Sequence, residues 1–495
     1  MDLIRLENII HHLNCRWKLQ TLSYWVGVSP LFNPASLYDG YDSVINLEVI
    51  RATSNIQDNK KRICIRHGLI DHYLQRSLMP HEAEMRTWML GAAAHVEGKK
   101  IYIKEIIPYC QKSSTYKERR ILQKEVSALC KFLRPFVLNY WNTLLQILKR
   151  ELCFESYIEY CAQKKGIDYP WFYNEISSIL RMTDKLYFPL MEEWSKKRYK
   201  LPLDALSRFD AINILSMEEF DPLFPENGIK YFFEFLNTWD IDLNSLIGLH
   251  LDIAPDKRKS AQAMSFIIQI PEEIYVVIRP AGGWVDIETL AHELGHGISS
   301  SYVSPELPLV DRDLATSYVL SESFAFLMQN IPISRPFLRN IMGLREEHVD
   351  TLYYYKVLKD LSIFRRYAAK FITEFEMFMN GDISDGRLYS EYMTRHTGFY
   401  YQPESHLFDL VPEFYSLDYI IAWIMEAIIE KHLKESLGEE WMFQKEAGDI
   451  LKKWWKQGNS YDVFQFLERN RIGEFTIQPL IDRWERVLYG KIKKG

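Results

Sequence analysis

The stretch Ala291-His292-Glu293-Leu294-Gly295-His296-Gly297 decides how the rest of this 495-residue sequence is read. On a helix advancing 100° per residue, His292 and His296 project about 40° apart, close enough to chelate one ion, and Glu293 lies about 60° from His296. Ile287, Leu290, Leu294 and Ile298 recur around them at helical spacing, and Asp286 stands where a capping residue is expected. An amphipathic helix is therefore predicted, with two imidazole donors on one face and a carboxylate beside the ion's open position. The competing reading is two unrelated histidines on a core helix, but with 13 His in the chain this spacing is rare by chance.

A catalytic site of this type needs a third protein donor. A glycine and a histidine at three and six positions past His296 would supply one, but Ser299 and Tyr302 occupy those places. Beyond the Pro305 and Pro308 loop, a second helix is predicted over 314–329. On it Glu322 has Tyr318, Val319, Ala325 and Phe326 as its near neighbours, so its carboxylate sits on an apolar face, where an unpaired charge costs several kcal/mol. A bound cation resolves that cost, and so does a buried lysine or arginine. Glu306, nearer in sequence, lies on the loop and is the weaker candidate.

Upstream of the motif, 249–253, 265–270 and 274–278 are short runs rich in β-branched residues, bounded by Pro255, Pro271 and Pro280. They predict a small antiparallel sheet beside the motif helix. Pro202, Pro222 and Pro225 mark a boundary near residue 200. It separates an N-terminal helical domain, 1–200, from a catalytic domain, 201–495. In the first, Leu133, Val137, Tyr140, Trp141, Leu144 and Leu148 outline a helix with Pro135 near its start. With only 22 Gly and 20 Pro the chain carries less punctuation than the usual ~12%, so a mainly α fold is expected.

The 60 Lys and Arg against 66 Asp and Glu leave a net charge of −6, and no basic field to draw nucleic acid or an anionic membrane. No stretch approaches ~18 uncharged apolar residues, and the charged start does not read as a signal peptide. The six cysteines form no CxxC pair, so neither a disulfide framework nor a thiolate site is expected. A cytoplasmic protein with free thiols is the resulting expectation. Near the C-terminus Tyr415 and Tyr419 share a helix face behind Pro412, with His406 upstream. Spacing alone does not separate such tyrosines from core residues.

These residues resemble the family of zinc oligopeptidases that includes oligoendopeptidase F and thimet oligopeptidase, over roughly 196–495. The resemblance rests on His292-Glu293-Leu294-Gly295-His296, on Glu322 followed by Ser-Phe-Ala-Phe, and on Leu201-Pro202-Leu203-Asp204-Ala205-Leu206-Ser207-Arg208-Phe209-Asp210. Leu251-Asp252-Ile253-Ala254-Pro255-Asp256-Lys257-Arg258 and Phe414-Tyr415 with Tyr419 add to it. It departs at Lys259-Ser260-Ala261-Gln262-Ala263, which lacks a glycine, and at Ser299, Leu417 and Ala422. The resemblance implies a helical ellipsoid with a deep channel that admits short peptides. It implies one Zn²⁺ per chain on His292, His296 and Glu322, Glu293 as general base, and His406, Tyr415 and Tyr419 as hydrogen-bond donors to the tetrahedral oxyanion.

The expectation is thus a zinc metalloendopeptidase acting on short peptide substrates. A helical zinc carboxypeptidase of the carboxypeptidase Taq type shares the motif and differs by trimming single residues. A helical scaffold that binds peptides without cleaving them is the reading from another class, and the intact motif argues against it.

Overall fold

A computed structural model describes residues 2–29, 35–112, 114–225 and 228–492. The fold is mainly helical. Three long helices, Asn59–Gly91, Tyr116–Arg150 and Tyr169–Tyr199, dominate the first part of the chain. The second of these starts well before Pro135, which lies inside it. Its start is fixed instead by a capping box, in which Thr115 Oγ1 accepts from the Glu118 N–H and Glu118 returns the bond to the Thr115 N–H. Leu133, Val137, Trp141, Leu144 and Leu148 are buried on one side of it, whereas Tyr140 is only partly so.

Between the first two long helices stands a hairpin, β1 (Ala93–Val96) and β2 (Lys99–Tyr102), in a region whose sequence reads as helical throughout. Its two-residue turn, Glu97-Gly98, takes positive φ at both positions, the turn whose twist matches paired strands. One hydrophobic core runs from Leu6 through Ile65, Leu186 and Leu294 to Leu488, and so crosses residue 200. The buried pair of Arg119 Nε and Asp210 Oδ1, 2.7 Å apart, also spans that point.

The sheet beside the motif helix is mixed, not wholly antiparallel as its short runs suggest. Strands β3 (Leu249–Asp252), β4 (Met264–Gln269) and β5 (Glu273–Val277) lie in the order β3-β5-β4, with β5 antiparallel to β4 and parallel to β3. The physical reason is burial. Ile274 and Val276 of β5 are fully buried, so β5 takes the centre, and β3, carrying His250 and Asp252, is left at an edge. The 20 residues between β3 and β5 give the crossover that parallel pairing needs.

The motif helix, Trp284–Ser301, lies between this sheet and the helix Val319–Asn330, which begins five residues later than its periodicity suggests. Two glycines permit the approach on both sides. A Cβ on Gly295 would stand 2.6 Å from Ala325 Cα, and one on Gly297 would meet Leu249 and Val276 side chains at 2.9 Å. Asp286 does not cap this helix. It sits within the first turn and accepts from the Ala281 and Gly282 N–H groups, at 3.0 and 2.6 Å, while Asp221 accepts from the Trp284 N–H at 3.2 Å. Among the described residues no helix is long and apolar enough to cross a membrane, and all six cysteines are free.

Candidate metal centre

The motif helix and the helix Val319–Asn330 bring His292, His296 and Glu322 together, with one donor atom from each within 4.8 Å of the others. Nε2 of His292 and Nε2 of His296 each lie 3.5 Å from Glu322 Oε2. An ion holding N and O donors at ~2.1 Å in a tetrahedron spaces them ~3.4 Å apart, so the separations fit a cation between the three. Glu322 Oε2 itself is buried and has no hydrogen-bond partner. A buried carboxylate oxygen in that condition is costly unless a cation completes it. Burial opposes its ionisation, but the two imidazoles beside it hold the Glu322 carboxyl well below the usual carboxylate range.

Both imidazoles are oriented from behind. His292 Nδ1 lies 2.9 Å from Gln329 Oε1 and His296 Nδ1 2.8 Å from Ser321 Oγ, which turns each Nε2 toward Glu322. Gln329 is steadied by Glu288 Oε1 at 3.4 Å, and Glu288 by Lys359 at 2.6 Å. The sequence reading does not single out Gln329, Ser321 or Glu288. The signal was available, because Ser321 adjoins Glu322 and Gln329 follows it by seven positions, two turns along the same face.

Glu293 is held by β4, where Ser265 Oγ donates to its Oε2 at 2.7 Å and to its carbonyl oxygen at 2.8 Å. The His292 and His296 side chains are 15% and 14% exposed, so the group is recessed but open to small molecules.

Tyr415 reaches the group directly. It opens the helix Tyr415–Leu437, and its hydroxyl donates to Glu322 Oε1 at 2.5 Å. Tyr419, one turn on, stacks edge-on to Tyr415 with ring centroids 5.0 Å apart, and it packs against Phe326, the ring beside His292. Among the described residues its hydroxyl has no hydrogen-bond partner, while its phenol feels both Glu322 and Glu293.

His406 is not brought to this group. It is buried, with Nδ1 2.8 Å from the Pro403 carbonyl oxygen and Nε2 3.0 Å from that of Ile383. Both ring nitrogens thereby face backbone carbonyl oxygens, and burial pushes the imidazole toward the neutral form, which can donate to only one of them.

The chain enters the Tyr415 helix through a strained corner. Glu413 and Phe414 both adopt positive φ, 58° and 51°, which side-chain-bearing residues rarely hold without external support. The support comes from the helix Tyr157–Lys165 of the first third of the chain. Lys164 Nζ bonds Glu413 Oε1 at 2.7 Å, Lys165 Nζ bonds the Glu413 carbonyl oxygen and Asp418 Oδ2, both at 2.7 Å, and the Glu413 N–H donates to Tyr157 Oη at 2.6 Å. No family model matches this chain, and no curated protein does.

Proposed function

We propose that this chain is a zinc-dependent peptidase that hydrolyses short peptides, with one Zn²⁺ per chain on His292, His296 and Glu322. The observation that carries the reading is the Glu322 carboxylate, one oxygen of which is taken by Tyr415 while the other faces two imidazole nitrogens with no hydrogen bond of its own. Two imidazoles and one carboxylate suit zinc, and three protein donors leave a position open for chemistry. When bound, the ion acidifies water at that position and polarises a carbonyl oxygen.

Glu293 accepts the proton of the attacking water and passes it to the leaving amine, and Ser265 keeps its carboxylate turned for that task. Tyr419, whose hydroxyl is unengaged, donates to the substrate carbonyl oxygen as negative charge builds there. Tyr415 instead fixes Glu322. Strand β4 lies at an edge of its sheet with Ser265 over Glu293, so an extended peptide can pair along its main chain beside the reacting atoms.

The test combines elemental analysis with mass spectrometry of a mixed peptide pool, with and without a chelator. One zinc per chain and chelator-sensitive cleavage are expected. Glu322→Gln should lose the metal, whereas Glu293→Gln should keep it and lose at least ~10²-fold in turnover. A chain that takes up no transition metal, or cleaves no peptide when loaded with zinc, overturns the reading.

A further inference from the structure

A cavity of about 420 Å³ is lined among others by Arg208, Val285, Lys359, Arg366, Tyr367 and Tyr401. Val285 belongs to the first turn of the motif helix. The Tyr367 ring lies 5.0 Å from that of Tyr419, so the cavity wall and the metal centre share their aromatic partition.

The charges lining this cavity are unequal in their partners. Lys359 is bound to Glu288 at 2.6 Å and Arg366 to Asp409 at 2.6 Å. The Arg208 side chain makes no hydrogen bond or ion pair with any described residue. Its backbone N–H bonds the Tyr400 carbonyl oxygen, and its guanidinium lies over the Phe209 ring at 5.4 Å. The acid it feels is Asp409, which is already engaged by Arg366, by Lys370 at 3.7 Å and by the Tyr389 hydroxyl at 2.9 Å. Asp409 is therefore already shared between two other cations.

A guanidinium that lines a cavity with no hydrogen-bond or ion-pair partner of its own is free to take an anion from a ligand. Its planar fork matches a carboxylate through two parallel N–H···O bonds. We infer that Arg208 is a specificity-determining residue that binds a carboxylate of the substrate, either the free C-terminus of a peptide or an acidic side chain, in this cavity. This inference rests on the peptidase reading, and it narrows the substrate class to peptides that present an anion at a fixed distance from the bond cleaved.

The zinc-loaded full chain is tested with an N-acetylated Ala-Ala-Phe-Ala-Ala peptide bearing either a free or an amidated C-terminus, and with amidated peptides carrying Glu or Gln at one position. Turnover is followed by mass spectrometry, and binding by calorimetry in the Glu293→Gln background. The carboxylate peptides should show a KM and a Kd roughly 10- to 100-fold lower than their neutral partners, with kcat little changed. Arg208→Gln should erase that difference without altering the neutral peptides, and Arg208→Lys should restore part of it. The C-terminal and side-chain arms then tell which carboxylate is read.

Equal KM and Kd for acid and amide forms in the wild-type sequence overturns the inference, whether or not Arg208→Gln folds. Arg208-dependent binding without any cleavage keeps this site and overturns the peptidase reading. Cleavage that ignores both the carboxylate and Arg208 does the reverse.

Discussion

The Tyr415 hydroxyl donates to one oxygen of Glu322 at 2.5 Å while the other oxygen of that carboxylate faces His292 and His296. A phenol in this position sets the rotation of that carboxylate, so on the proposed reading Tyr415 acts through the metal ligand and Tyr419, whose hydroxyl is unengaged, acts on substrate. Tyr415→Phe is expected to weaken zinc affinity by about 10- to 100-fold, the usual cost of losing a partner behind a ligand. Tyr419→Phe should retain zinc and lower kcat by roughly 10²-fold with little change in KM. Zinc titration and steady-state kinetics on the two variants side by side check the division, and the opposite pattern would exchange the roles.

His406 should behave as a structural residue. His406→Ala takes the side-chain partner from the buried Ile383 carbonyl oxygen, which costs about 1 to 3 kcal/mol, while the Pro403 carbonyl keeps the backbone N–H of residue 406. A lowered melting temperature with unchanged kcat for the folded protein is the expected outcome. A loss of kcat at full stability would return this residue to the reacting atoms.

Gly295→Ala tests whether ligand geometry depends on the closeness of two helices. The added methyl would meet the Ala325 backbone at 2.6 Å, so the motif helix must move away from the helix carrying Glu322. Zinc affinity should fall more than stability does, read by metal titration against thermal melting. A variant that binds zinc normally would show that the pair of helices can yield elsewhere.

Glu374 carries a pH signature. Burial, only partly offset by Lys370, pushes its carboxyl up to about 7, with Ser416 Oγ and the Val411 N–H bonded to it and Asp409 nearby adding to the rise. The folded state therefore holds this proton more tightly than the unfolded chain, whose glutamate titrates near ~4.3. Its contribution to stability is complete below that value and is lost as pH rises toward about 7. Glu374→Gln should flatten that slope in denaturant melts across the interval. An unchanged slope would place the proton elsewhere.

Much of the metal centre was legible because its donors obey helical arithmetic. His292, His296 and Glu322 lie on two amphipathic helices whose apolar faces could be traced residue by residue, and those faces are buried together. What spacing could not show is which long-range partner a side chain meets. His406 and Tyr415 were alike in sequence, and only tertiary packing sends one to backbone carbonyls and the other to Glu322. The mixed sheet escaped for a related reason: strand order follows from how buried β5 becomes, which no single run of β-branched residues states. The β1–β2 hairpin was hidden because Glu97 holds a positive φ that its side chain does not advertise.

The strained corner at Glu413 and Phe414 also dictates an order of events in time. His292 and Glu322 are 30 positions apart, whereas Lys164 and Glu413 are separated by 249. Closing the longer loop costs about 2 kcal/mol more in chain entropy, and the corner cannot hold its backbone angles until that loop is closed. The three donors are therefore expected to assemble before the phenol that joins them. In refolding from denaturant, zinc uptake should precede the return of activity, and a simultaneous return would mean that the corner forms without its clamp.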